Sequence, residues 1–153
     1  MDGNYNHVSP CGVNCLDCLL HESRLTEEYR ARAAALLGIA PDEVHCAGCR
    51  AERGRCLLAP SGCATWACVQ EKGVRYCFEC GAFPCGLLAP SAKGAGRAHN
   101  LKVYNLCRMK SLSIDTWLGE SAHNMKLYFE GEFIVGKGPV LEKTRITNKE
   151  NFP

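Results

Sequence analysis

CATWACVQEKGVRYCFECGAFPC, residues Cys63 to Cys85, carries five cysteines in 23 positions. Its first half reads as a short helix that Gly73 closes, bearing Cys63 and Cys68. Its second half is a loop built on Cys77-Phe78-Glu79-Cys80 and ending at Cys85. Two thiolates separated by two residues can turn inward onto one tetrahedral ion, so Cys77 and Cys80 read as a metal clamp. Gly81, directly after the clamp, is expected at positive φ, which would aim backbone amides at the thiolates.

Working upstream, the same device recurs at Cys46-Ala-Gly-Cys49 and Cys15-Leu-Asp-Cys18, and the three pairs begin 31 residues apart, at 15, 46 and 77. Gly48 relaxes the middle turn. A structural zinc site takes four sulfur or nitrogen donors, usually as two close pairs from distant segments. The candidates are Cys11, Cys15, Cys18, Cys46, Cys49, Cys63, Cys68, Cys77, Cys80 and Cys85, with Cys56 less certain as a ligand. Eight ligands make two closed zinc sites, the first choice; eleven cysteines with His45 or His21 would make three. An iron-sulfur cluster is the alternative cofactor, since spacing alone does not separate zinc from iron.

Composition says why staples are needed. The 46% hydrophobic fraction includes all twelve cysteines, and the first ninety residues are poorer in large apolar side chains than the rest. The start, MDGNYNHVSPCG, has no basic segment followed by an apolar one, and no stretch is long and apolar enough to span a membrane. A cytoplasmic location with reduced thiols is expected, which favours metals over disulfides. Two ions held by thiolates would move the formal charge of +2 to about −2, so a general polyanion-binding field is not indicated.

The organisation follows. Leu25 to Ile39 reads as a helix started by Thr26, Glu27 and Glu28 and stopped by Gly38 and Pro41, with Leu25, Tyr29, Ala33, Leu36 and Leu37 on a packing face. Residues 45 to 61 form a metal-organised loop. The pentapeptide LLAPS recurs at Leu57 and Leu87 without flanking similarity and is read as chance. Ser91 to Arg97, SAKGAGR, is the expected hinge between a cysteine-rich lobe, residues 1–92, and a second part, residues 93–153. That part begins with one helix, His99 to Leu118, with Leu101, Tyr104, Met109 and Leu112 along its seam and polar Asn105 within it. MKLYFEGEFIVGKGPVLEK, from Met125, reads as two or three short strands with a hairpin turning at Gly136 to Gly138, where Tyr128, Phe129, Phe133 and Val135 close the core. The tail from Thr147 is polar and expected to be loose. The fold class is α+β, mainly helical: an irregular metal-stapled lobe followed by a helix and short strands.

Other chemistries find little support. Cys11-x3-Cys15-x2-Cys18 resembles the cluster motif of radical S-adenosylmethionine enzymes, but the chain lacks the alternating strands and helices of their barrel. His7, His21, His99 and His123 fall at no metal or catalytic interval and read as surface or packing residues. Cys107 reads as a core thiol. Trp66 and Trp117 read as anchors of the two lobes, and Arg50, Arg53, Arg55 and Arg75 as compensation for anionic thiolate sites. No serine elbow, phosphate loop or dinucleotide fingerprint is present, and Asp115 and Glu120 lack a partner for acid-base work.

The ordered elements CGVNCLDC, CAGC, CATWAC, EKGVRYCFEC and FPC resemble, over about residues 8 to 90, the cysteine-rich family grouped as domain of unknown function 3795. The resemblance implies metal binding, with zinc as the ion, through the ten cysteines named above, and implies no reaction. The functional expectation is a zinc-binding module that presents a rigid surface to an unknown protein partner, with nucleic acid only weakly supported and no membrane. The alternative is an iron-sulfur redox or electron-transfer protein.

Overall fold

The computed structural model describes residues 4–90, 100–134, 136 and 138–141. The expected hinge and the polar tail lie outside them. Helices α1 (Glu27–Leu37), α2 (Ala64–Glu71), α3 (Leu101–Ser111) and α4 (Ile114–Glu130) precede the strands β1 (Glu132–Ile134) and β2 (Gly138–Val140), so the chain is mainly helical α+β. Short 3-10 turns fill the cysteine-rich segment, two of them on the clamps themselves: Cys15–Asp17 and Cys77–Glu79. In both, the N–H of the second cysteine donates to the carbonyl of the first at 3.1 Å, so these two clamps share one backbone shape.

Helix α1 starts where its sequence says, with Thr26 Oγ1 accepting from Tyr29 N–H, and stops at Gly38, whose φ of +68° suits a residue without Cβ. Its packing differs from the expected seam. Only Ala34 is buried and Leu36 is 86% exposed, so the apolar face read from the sequence is not a core face. What fixes α1 is polar: Arg30 Nη1 donates to the Val44 carbonyl at 2.7 Å, two residues before the Cys46 clamp.

The expected single helix from His99 to Leu118 is two. Ser113 breaks the run and caps α4, its Oγ accepting from Thr116 N–H at 3.1 Å. Helix α4 then continues through Met125–Glu130, a stretch whose β-branched and aromatic flavour suggested strand. It stays helical because Trp117, Ser121 and Asn124 fall on one buried face and draw the segment onto α3. The hairpin is where it was expected, with antiparallel pairs Glu132↔Val140 and Ile134↔Gly138. Phe129 is 40% exposed, so it does not close the core. The seam of α3 is Leu101, Asn105, Leu106 and Met109, while Tyr104 and Leu112 face outward.

One apolar cluster joins Val8, Val69, Tyr76, Cys77 and Leu88 of the cysteine-rich segment to Leu106, Met109 and Trp117 of α3 and α4. Trp117 is fully buried there, whereas Trp66 is half-buried and lies against Gly54. A polar seam doubles the contact. Asn105 Nδ2 donates to the Gly12 carbonyl at 2.7 Å, Asn14 Nδ2 to Ser121 Oγ at 3.1 Å, and Ser121 Oγ to Asp17 Oδ2 at 2.7 Å. Gly12 must be glycine: its φ is +85°, and a Cβ would stand 2.9 Å from both Leu106 Cγ and the Lys102 carbonyl.

Candidate metal centre

All twelve cysteines are free thiols. The structure sorts the candidates into two groups. Cys68 from α2, Cys77 and Cys80 from the third clamp, and Cys85 from the following loop line one cavity of about 90 Å³, walled on its apolar side by Val69, Phe83 and Leu88. The helix and the turn that carry them are fixed independently. Thr65 and Val69 bury one face of α2, and Glu79 Oε2 accepts the N–H groups of Arg75 and Tyr76 at 2.7 and 3.0 Å.

The second group gathers the first two clamps. Cys49 N–H donates to Cys15 Sγ at 3.4 Å across 34 residues of chain, and Glu22 N–H donates to the Cys46 carbonyl at 2.9 Å. Gly48, buried and at φ +97°, lets this turn fold against Cys15: a Cβ there would lie 3.3 Å from that of Cys15. His21 is 2% exposed beside the same turn, and its Nε2 has no hydrogen-bond partner among the described residues. The charge of Cys56 reaches both Cys46 and Cys49, so this cysteine stands with the second group. Cys63 precedes α2 and acts on Cys49. Cys11, 3.2 Å from Ser9 Oγ, lies between the groups, its charge acting on Cys15, Cys49 and Cys77 alike.

Burial governs the electrostatics. It pushes the Cys77 and Cys49 thiols up to about 12 and Cys15 to about 11, and the neighbouring sulfurs add to each. Cys46 is raised by the same burial, against a hydrogen bond from the Gly48 amide. Each thiolate would thus oppose the ionisation of the next, and only a cation among them reverses that preference. The thiols surround spaces rather than meeting at points: among the described residues no three His, Cys, Asp or Glu side chains already stand close enough to hold an ion.

Several expectations change. Gly81 is not at positive φ, so only Gly48 plays the role foreseen for both glycines. Cys107 is exposed on α3, not a core thiol. Arg50 does not face the sulfurs; its Nε donates to the Val8 carbonyl at 2.8 Å and its Nη2 to the Arg75 carbonyl at 2.9 Å, while its guanidinium covers Tyr76. It ties the approaches to three cysteine elements together. Glu120, expected to lack a partner for acid-base work, is held instead in an ion pair by Arg108 through two bonds of 2.7 Å, which keeps its carboxyl below the usual range. His45 sits between the Glu22 and Glu52 carboxylates at 3.6 and 3.7 Å. Gly12, Asn14, Asp17 and Asn105 escaped sequence reasoning as positioning residues, although polar Asn105 in an apolar seam was the signal for one of them.

Residues 7–90 match the profile of a family described as "Protein of unknown function (DUF3795)", which covers both thiol groups. No curated protein and no solved structure matches the chain.

Proposed function

This chain belongs to the DUF3795 family, and we propose that its matched segment binds two metal ions, zinc by preference, through cysteine thiolates. One ion is assigned to Cys68, Cys77, Cys80 and Cys85, the other to sulfurs of the Cys15/Cys18 and Cys46/Cys49 pairs. The observation that carries the reading is that the first four cysteines, from three separate pieces of backbone, line one small cavity. A cysteine side chain turns about one torsion, χ1, so a thiol that lines the cavity can be re-aimed without moving its backbone. Four sulfur donors leave no open position, which suits a structural zinc site better than a catalytic one. The role that follows is a rigid surface, held by metal, for another macromolecule.

Anaerobically prepared protein should contain about two zinc ions per chain by elemental analysis, with about seven or eight thiols, according to whether an imidazole completes one site, shielded from a thiol reagent until a strong chelator is added. Substoichiometric metal with all twelve thiols reacting at once would sink the reading. Iron with acid-labile sulfide and a brown colour bleached by dithionite would replace it with the redox alternative.

A further inference from the structure

We propose that His21 Nε2 is a ligand of the ion held by Cys15 and the Cys46–Cys49 clamp, giving a site of three sulfurs and one imidazole nitrogen. The proposal rests on the metal-binding reading above and names a donor that the cysteine pattern does not supply. Buried polar atoms nearly always find a partner, and one left without costs about 1–3 kcal/mol. His21 is 2% exposed, yet its Nε2 lacks any hydrogen-bond partner among the described residues.

That nitrogen points into the clamp. The position a Cβ on Gly48 would occupy lies 3.7 Å from His21 Nε2 and 3.6 Å from Cys15 Sγ, so the imidazole nitrogen and a candidate sulfur flank one point inside Cys46-Ala47-Gly48-Cys49. Any larger residue at 48 would fill that space. The other ring nitrogen, Nδ1, accepts from Ser23 N–H at 3.2 Å and lies 2.8 Å from Ser23 Oγ. The accepted Ser23 N–H puts the neutral ring's proton on Nε2. Coordination of an ion there needs that proton moved to Nδ1, where Ser23 Oγ accepts it in place of the Ser23 N–H contact, as metal-bound histidines donate through their second nitrogen. His7 meets the ring edge to face at 5.2 Å and fixes its plane. With His21 in place the ion needs only three of the clamp sulfurs.

Cobalt(II) tests this, since its visible bands move to shorter wavelength when nitrogen replaces one of four sulfurs. Wild-type protein loaded with Co2+ under anaerobic conditions should show one mixed and one all-sulfur site. His21→Ala should weaken Co2+ at the mixed site by at least ~100-fold, beyond the 10–100-fold typical of an outer-shell partner. His21→Cys should restore stoichiometry with an all-sulfur spectrum. Zinc X-ray absorption of the wild type, which needs no variant to fold, should contain imidazole scattering. An unchanged cobalt spectrum in His21→Ala, or zinc scattering from sulfur alone, would overturn the assignment while leaving thiolate binding intact. A wild-type protein that takes up no Co2+ or Zn2+ would overturn both.

Discussion

At the scale of single residues, the chemistry of this protein is set by thiols that resist ionisation. Cys15, held at about 11, and Cys49 and Cys77, at about 12, stay protonated at neutral pH because burial disfavours the charge. Taken alone, these raised values favour the fold fully below the ordinary thiol value of 9.0, and that contribution fades as pH climbs through 11 to 12. A bound ion inverts the sign. The loaded fold then holds fewer protons than the unfolded chain, so its stability grows with pH up to about 9 and falls on acidification. Zinc added to metal-free protein in weakly buffered solution at pH 8 should release about four protons per ion, and about three at the site that includes His21. A pH-stat titration reads this directly; uptake without proton release would mean that thiolates are not the ligands.

Elements show which parts of the chain are legible. Helix α1 and the hairpin at Gly136 follow local rules, a Thr26 cap with an αL glycine in one case and strand pairs around a glycine turn in the other. The run from His99 to Glu130 was not legible in the same way. Ser113 is an ordinary polar residue until its hydroxyl accepts Thr116 N–H, and the strand-like MKLYFE becomes helix only because Trp117, Ser121 and Asn124 find a partner surface. The candidate ligands were legible because cysteine spacing is a local signal; their grouping was not, because Cys15 meets Cys49 only through the tertiary fold. His21 follows Cys18 after two residues, but that interval alone did not set it apart from the other histidines; its burial beside Gly48 does.

The junction between α3 and the first cysteine motif gives a test at this scale. Asn105 is 3% exposed and satisfies the Gly12 carbonyl. Asn105→Ala should cost about 1–3 kcal/mol in the urea unfolding of metal-loaded protein, because the carbonyl is left buried without a donor. A change below ~0.5 kcal/mol would show that this contact does not hold the motif on the helix.

For the whole molecule, one cluster around Trp117, Tyr76 and Leu106 binds the helical pair to the cysteine-rich segment. That segment's largest contribution to it is Tyr76, the rest being Val8, Val69, Cys77 and Leu88, while α1 buries only Ala34. Apparent zinc affinities in small folded fingers correspond to about 10–16 kcal/mol, as large as the ~5–15 kcal/mol that separates most domains from unfolding. On this reading metal supplies the stability that the core does not. The most direct test is thermal unfolding followed by circular dichroism before and after verified removal of metal by a strong chelator under reducing conditions. The expected result is loss of the cooperative transition from the cysteine-rich segment and its return when zinc is restored. The same melting curve with and without metal would contradict it.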